Sequence, residues 1–246
     1  MSSPGRLGPV ASVLLRSQRR ARRARLRARR NRRALSSVAF DHLIVAAQSL
    51  ADGCDFIEAQ FGVRPQPGGK HVAMGTHNAL VSLGPRQYLE ILAIDPEGLA
   101  PARRRWFDLD EPRMRASLAE GPRLIHWAAR TDNIETAKAL SPIDQGVVHP
   151  MRRGDLNWRI TIPDDGHLPG SGLVPTLIEW ADATHPSDRL ADSGIRIVTL
   201  AGEHPDPAPI RATLVALGLA DTLKVTYAQY ARLAAMFRAP QGIVTF

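Results

Sequence analysis

Four side chains stand where their chemistry is costly to hide. His42 interrupts the apolar run FDHLIVAA, Glu90 the run QYLEILAID, His126 the run RLIHWAAR and Glu179 the run TLIEWADA. Each run has the length and composition of a buried strand. A carboxylate buried without a cation or hydrogen-bond donors is strongly destabilising, so Glu90, flanked by Leu89, Ile91 and Leu92, must be met by something. Two imidazoles and two carboxylates together suit a divalent first-row ion such as Zn, Mn, Fe, Co or Ni, whose charge the carboxylates would offset. Such a site can leave positions open for water or substrate oxygens, as a Lewis-acid catalyst requires. Against this stand plainer roles: a hydrogen-bonded core histidine, and a glutamate paired with one of the chain's many arginines.

The elements that would position these residues occur twice. VAFDHLIVAA reads as a strand and SLADGCDFIEAQFG as an amphipathic helix, with Ser49 as N-cap and Gly62 just past its end. KHVAMGT and NALVSLG read as a hairpin turning at His77-Asn78, and QYLEILAID is the closing strand. The same β-α-β-β-β order returns in RLIHWAARTDN, NIETAKALS, QGVVHPMR, LNWRITIP and LVPTLIEWAD, with the RGD at 153–155 as a turn. His126 lies 84 residues after His42, and Glu179 lies 89 after Glu90. In each copy the histidine sits in the first strand and the glutamate in the last, an internal repeat that carries its chemistry with it. The fold class is therefore α+β, with paired β-α-β-β-β modules at residues 38–95 and 123–182 and a partial third module at 193–246. Residues 96–120 read as an irregular connection holding one short helix. Edge-to-edge packing of the two modules would bring the four side chains into one concavity.

The chain of 246 residues carries a net charge of +8, but 12 arginines and no acidic residue fall within residues 1–40. The remainder holds 20 basic against 24 acidic residues, a net of −4. The basicity belongs to an arm at residues 1–37, so nucleic-acid binding by the folded part is not expected. The arm reads as a segment translated upstream of the true start, as an organelle-targeting peptide, or as an arm for an anionic partner. A single cysteine, Cys54, excludes an intrachain disulfide and a cysteine zinc cage. No apolar run is long enough to cross a membrane, which gives a soluble protein, expected in the cytoplasm unless the arm targets an organelle. P-loop, dinucleotide and nucleophile-elbow signatures are absent from the sequence.

The duplicated module with His, Glu, His and Glu in its first and last strands resembles the vicinal oxygen chelate superfamily. The run GGKHVAMGTHNALVSLGPRQYLEILAID, with DHLIVAA before it and PQGIV in the tail, resembles its glyoxalase-like domain subfamily over Val38 to Phe246. The resemblance implies a divalent metal held by His42, Glu90, His126 and Glu179, and a substrate chelated through neighbouring oxygens. It implies a lyase or isomerase of glyoxalase I type acting on a small molecule, with Glu179 as the first choice of base and Glu90 the second. A non-catalytic binding protein of the same fold is the alternative. An extradiol dioxygenase using His42, His126 and Glu179 is a third reading, against which the extra Glu90 argues. His71, His77 and Asn78, in the subfamily's hairpin, are implied as pocket residues. No glutathione contact carries over, and pairing of modules between chains would give a homodimer.

Overall fold

The computed structural model describes residues 37–246; the arginine-rich arm, apart from Ser37, lies outside them. Val38–Phe246 forms one compact unit. Its first module is β1 (Ala39–Ala46), α1 (Leu50–Phe61), β2 (Gln66–His71), β3 (Thr76–Gly84) and β4 (Gln87–Ile94). The connection contains α2 (Pro112–Ala119). The second module is β5 (Arg123–Arg130), α3 (Ile134–Leu140), β6 (Val147–Arg153), β7 (Leu156–Ile162) and β8 (Thr176–Trp180). The tail adds β9 (Arg196–His204), α4 (Pro207–Ala216), β10 (Lys224–Tyr227), β11 (Arg232–Ala239) and β12 (Gly242–Thr245).

The two modules share one eight-stranded sheet in the order β2-β3-β4-β1-β5-β8-β7-β6. β1 and β5 pair antiparallel at its centre, and β4 and β8 run parallel to them on either side. Outward from this seam each module shows its first strand, its last strand and then its hairpin. The tail forms a separate sheet, β10-β9-β11-β12, in which β10 lies parallel beside β9.

Strand alternation divides the core in two. Leu43, Val45, Leu89, Ile91, Trp127 and Leu177 face the helices and the tail, where Ile57 and Phe61 of α1 and Phe237 of β11 meet them. Phe61 and Phe237 pack edge to face at 5.2 Å. Ile44, Leu92, Ala128, Ile160 and Ile178 face the other way, and Trp106, Phe107, Leu109 and Leu118 from residues 96–120 cover them. The connection is thus a lid of the second core, with each fully buried large side chain contributing about 1.5–3 kcal/mol.

The caps of α1 follow the sequence. The Ser49 hydroxyl accepts from the Asp52 backbone N–H at 3.1 Å, and Gly62 takes the left-handed conformation, φ 67°. The hairpin differs from expectation. Its turn is the short 3-10 segment Val72–Met74 closed by Gly75 at φ 57°, so His77 and Asn78 lie within β3 rather than at the turn. Gly75 provides the positive φ that His77 and Asn78 do not supply. No helix among the described residues is long and apolar enough to cross a membrane.

Candidate active site

His42 and Glu90 meet on the concave face of the shared sheet. The parallel register of β1 and β4 sets His42 against Tyr88 and Ile44 against Glu90, so all four side chains share that face. His42 Nε2 lies 3.6 Å from Glu90 Oε2. Asn78 Nδ2 donates to Glu90 Oε1 at 2.5 Å. Asn78 has room because residue 68 is glycine: a Cβ there would stand 2.1 Å from Asn78 Oδ1. One amide donor, Asn78, rather than an arginine, therefore hydrogen-bonds the buried carboxylate.

Behind His42 stands Asp41, fully buried. A bulge in β1 between Phe40 and His42 re-aims it. It accepts from His42 Nδ1 at 2.7 Å, Trp180 Nε1 at 3.1 Å and His185 Nε2 at 3.2 Å. Burial alone would raise its pKa, but the hydrogen bonds from His185 and His42 outweigh burial and hold the carboxyl well below its ordinary range. An ionised Asp41 fixes the His42 proton on Nδ1 and turns Nε2 toward Glu90. Tyr88 stacks on the His42 ring with centroids 4.4 Å apart. Burial, reinforced by the charges of Asp41 and Glu90, keeps its phenol protonated well above the usual range.

His42, Tyr88 and Glu90 line a narrow cleft, open to solvent on one side, with a cavity volume of about 20 Å³. Trp106, Phe107, Trp158 and Trp180 wall it, and His71 and Arg153 line it with His42 and Glu90. His71 Nδ1 lies 3.1 Å from Thr76 Oγ1, and its Nε2 is 4.0 Å from Glu90 Oε1. Burial, aided by the charge of Arg153, pushes the His71 pKa down to about 3, so the ring is neutral. Of the three hairpin residues expected in the pocket, His71 lines it, whereas His77 and Asn78 do not; Asn78 acts on it through its hydrogen bond to Glu90.

The other two histidine and glutamate positions are placed differently. His126 is fully buried, with both ring nitrogens engaged. Nδ1 lies 3.1 Å from the Gly172 carbonyl, and Nε2 accepts from Thr176 N–H at 3.2 Å, with Thr176 Oγ1 at 2.9 Å. Phe107 covers the ring at 5.1 Å. Burial pushes its pKa down to about 3. Glu179 lies on the opposite face of the sheet, because alternation along β8 gives the pocket Ile178 and Trp180. It accepts from Arg159 Nη2 at 2.8 and 2.9 Å and from the Ile134 N–H at 2.6 Å, at the first turn of α3.

The family of the glyoxalase-like domain matches residues 40–218. The chain belongs to that family. Its fold, that of the vicinal oxygen chelate superfamily, is also found in solved structures. A hypothetical protein from Staphylococcus aureus superposes with a TM-score of 0.57 at 14% identity, over 79% of this chain and 88% of that one. Methylmalonyl-CoA epimerase from Mycobacterium tuberculosis gives a TM-score of 0.39 at 18% identity, over 58% and 89%. A search of curated proteins returned no match.

In this glyoxalase-like chain the register explains why the repeat was misleading at its fourth member. β1 and β4 place Glu90 beside Ile44, two residues after His42. The same step in the second module leads from His126 to Ala128, which pairs with Thr176. Thr176, not Glu179, is the structural counterpart of Glu90, and its hydroxyl and N–H hold His126. The expected centre of His42, Glu90, His126 and Glu179 therefore does not assemble. Among the described residues no group of three or more His, Cys, Asp or Glu is arranged to hold a metal ion. The choice of Glu179 as base and the triad of His42, His126 and Glu179 are corrected on the same ground. Glu179→Gln is expected to leave ligand binding in the pocket unchanged. It should cost about 0.5–1.5 kcal/mol in urea unfolding, through the weakened charge-assisted bonds to Arg159 and α3.

Proposed function

We propose that this protein moves a proton on a small oxygen-bearing molecule held in the pocket, as an isomerase or lyase, with Glu90 as the base. The observation that supports it is the placement of Glu90. It is the carboxylate of the pocket wall, buried, held by Asn78 and faced by a histidine that an ionised aspartate orients. A carboxylate so placed takes a proton from carbon beside a carbonyl, and the electron pair moves to the carbonyl oxygen. In the form of His42 that carries a proton on both ring nitrogens, which Asp41 would stabilise, Nε2 donates a hydrogen bond to that oxygen as charge develops there. Return of the proton from Glu90 to a different carbon, or to the other face of the same carbon, completes an isomerisation. Loss of a leaving group from the enolate makes the reaction a lyase.

The divalent metal implied by the resemblance does not enter this scheme, because the donor set does not fit it: His126 is spent on Gly172 and Thr176, and Glu179 on Arg159 and Ile134. The second reading, a non-catalytic binding protein, is favoured by the four aromatic walls, which suit capture of an apolar compound.

Proton exchange decides between them. The full chain is incubated in D2O with a panel of 2-oxo acids and 2-hydroxy ketones, and loss of carbon-bound ¹H is followed by NMR. Exchange above the buffer rate is the expected result. Saturable binding without exchange would leave the binding protein as the correct reading. One divalent ion per purified chain, lost in His42→Ala, would overturn the metal-free scheme.

A further inference from the structure

Among the described residues Arg153 has no ionic partner of its own. It ends β6, is 9% exposed, and is the arginine or lysine found among the buried charged groups of the described residues. Its hydrogen-bond contact is from Nη1 to His71 Nε2, at 3.5 Å, and His71 is neutral. No ion pair among the described residues includes it. Residues 1–36, which lie outside them, contain no aspartate or glutamate, so they supply no carboxylate side chain either. A guanidinium withdrawn from water without an anion is costly. It is tolerated where an anion arrives from outside, since its planar fork matches a carboxylate.

Two further donors in the same wall are unanswered. Trp106 Nε1 and Trp158 Nε1 are buried without a hydrogen-bond partner, and both residues line the pocket with Arg153. Buried indole N–H groups ordinarily find an acceptor. The fold also makes room for the arginine. Gly69 of β2 lies against its stem, and a Cβ there would stand 3.1 Å from Arg153 Cγ and Cδ. A cation and two indoles whose N–H groups lack acceptors therefore line one pocket, together with His42, His71, Tyr88, Glu90 and apolar side chains.

We infer that the pocket takes a small carboxylate with a flat or apolar body, whose carboxylate is held by Arg153 and the indole N–H groups of Trp106 and Trp158. A carboxylate is favoured over a phosphate because the pocket offers one guanidinium, and Glu90 already places a negative charge in the same wall. This names the substrate class for the proton transfer proposed above. The anion site rests on that reading only for what happens after binding.

The test is a titration of the full chain, followed by tryptophan fluorescence, with benzoate, phenylpyruvate and pyruvate. The neutral isostere benzamide and phenyl phosphate are the comparison probes. Carboxylates should bind saturably, with benzamide and phenyl phosphate each at least about tenfold weaker than benzoate. Arg153→Met should remove this preference, weakening benzoate at least tenfold while leaving benzamide within a factor of two. Arg153→Lys should restore part of the benzoate affinity, which a merely misfolded variant would not show. Glu90→Gln should still bind benzoate, so a failure of the proton-transfer reading leaves the anion site standing. Equal binding of benzoate and benzamide, tighter binding of phenyl phosphate, no saturable change with any carboxylate, or an unaltered Arg153→Met would each overturn the inference.

Discussion

Replacing Glu90 by glutamine is expected to lower the exchange rate by about 10²–10⁴-fold, the usual contribution of a positioned general base. The substitution keeps shape and changes chemistry. Glutamine retains an oxygen to accept from Asn78 Nδ2, so the contact at 2.5 Å can persist. It removes a charge from a site with little solvent, and truncation is avoided, so thermal stability should hold or rise. Loss of exchange with stability and benzoate binding retained would assign the base to Glu90. His42→Gln should lower the rate less than Glu90→Gln, because it removes the proton donor and leaves the abstracting group in place. A Glu90→Gln protein that exchanges at the wild-type rate would sink the proposal, whatever else the pocket binds.

Much of this was legible in the chain, because the physics involved is local. The run around Glu90 showed a carboxylate that needed a partner, and the repeat showed that β1 and β4 would bring one. Ser49 and Gly62 announced α1 because capping acts over three or four residues. The hairpin was displaced because Gly75, inside KHVAMGT, provides the left-handed residue of the turn. Glu179 misled for a different reason. A strand repeats with a period of two, so a side chain displaced by one or three positions changes face. Only the pairing of Ala128 with Thr176 fixes which residue answers Glu90. Arg153 was hidden by its setting in RRGD, which reads as a turn, and nothing local says that its side chain would run back against Gly69 of the other module. Trp106 and Phe107 were hidden in a connection whose irregular sequence gives no periodicity. Asp41 carried a readable signal, an acidic residue beside a candidate histidine. Its partners His185 and Trp180 lie about 140 residues away in sequence.

Acid should unfold the protein through its neutral histidines. His71 and His126 each have a folded pKa of about 3 against an ordinary value of 6.5. Between those limits the unfolded chain binds a proton at each site and the folded chain does not. Stability therefore rises with pH through this window: it is fully present above about pH 6.5 and is lost as pH falls toward 3. Each ring contributes a slope of up to about 1.4 kcal/mol per pH unit within it. Together they would remove several kcal/mol by about pH 4, which is comparable with the whole stability of an ordinary domain. Asp41 acts lower down. Its pKa is depressed on folding, so its contribution is full above the unfolded carboxylate range and fades only as pH falls below it. His167 works in the opposite sense, since its hydrogen bond to Asp108 raises its pKa. It is half exposed, so solvent screens that effect. Urea unfolding at pH 7, 6 and 5 reads the slope directly. His126→Gln, which keeps a donor for the Gly172 carbonyl, is expected to remove about half of it even where it lowers stability at pH 7. A wild-type stability flat from pH 7 to pH 5 would mean that these two rings are open to protonation in the folded protein, contrary to their burial.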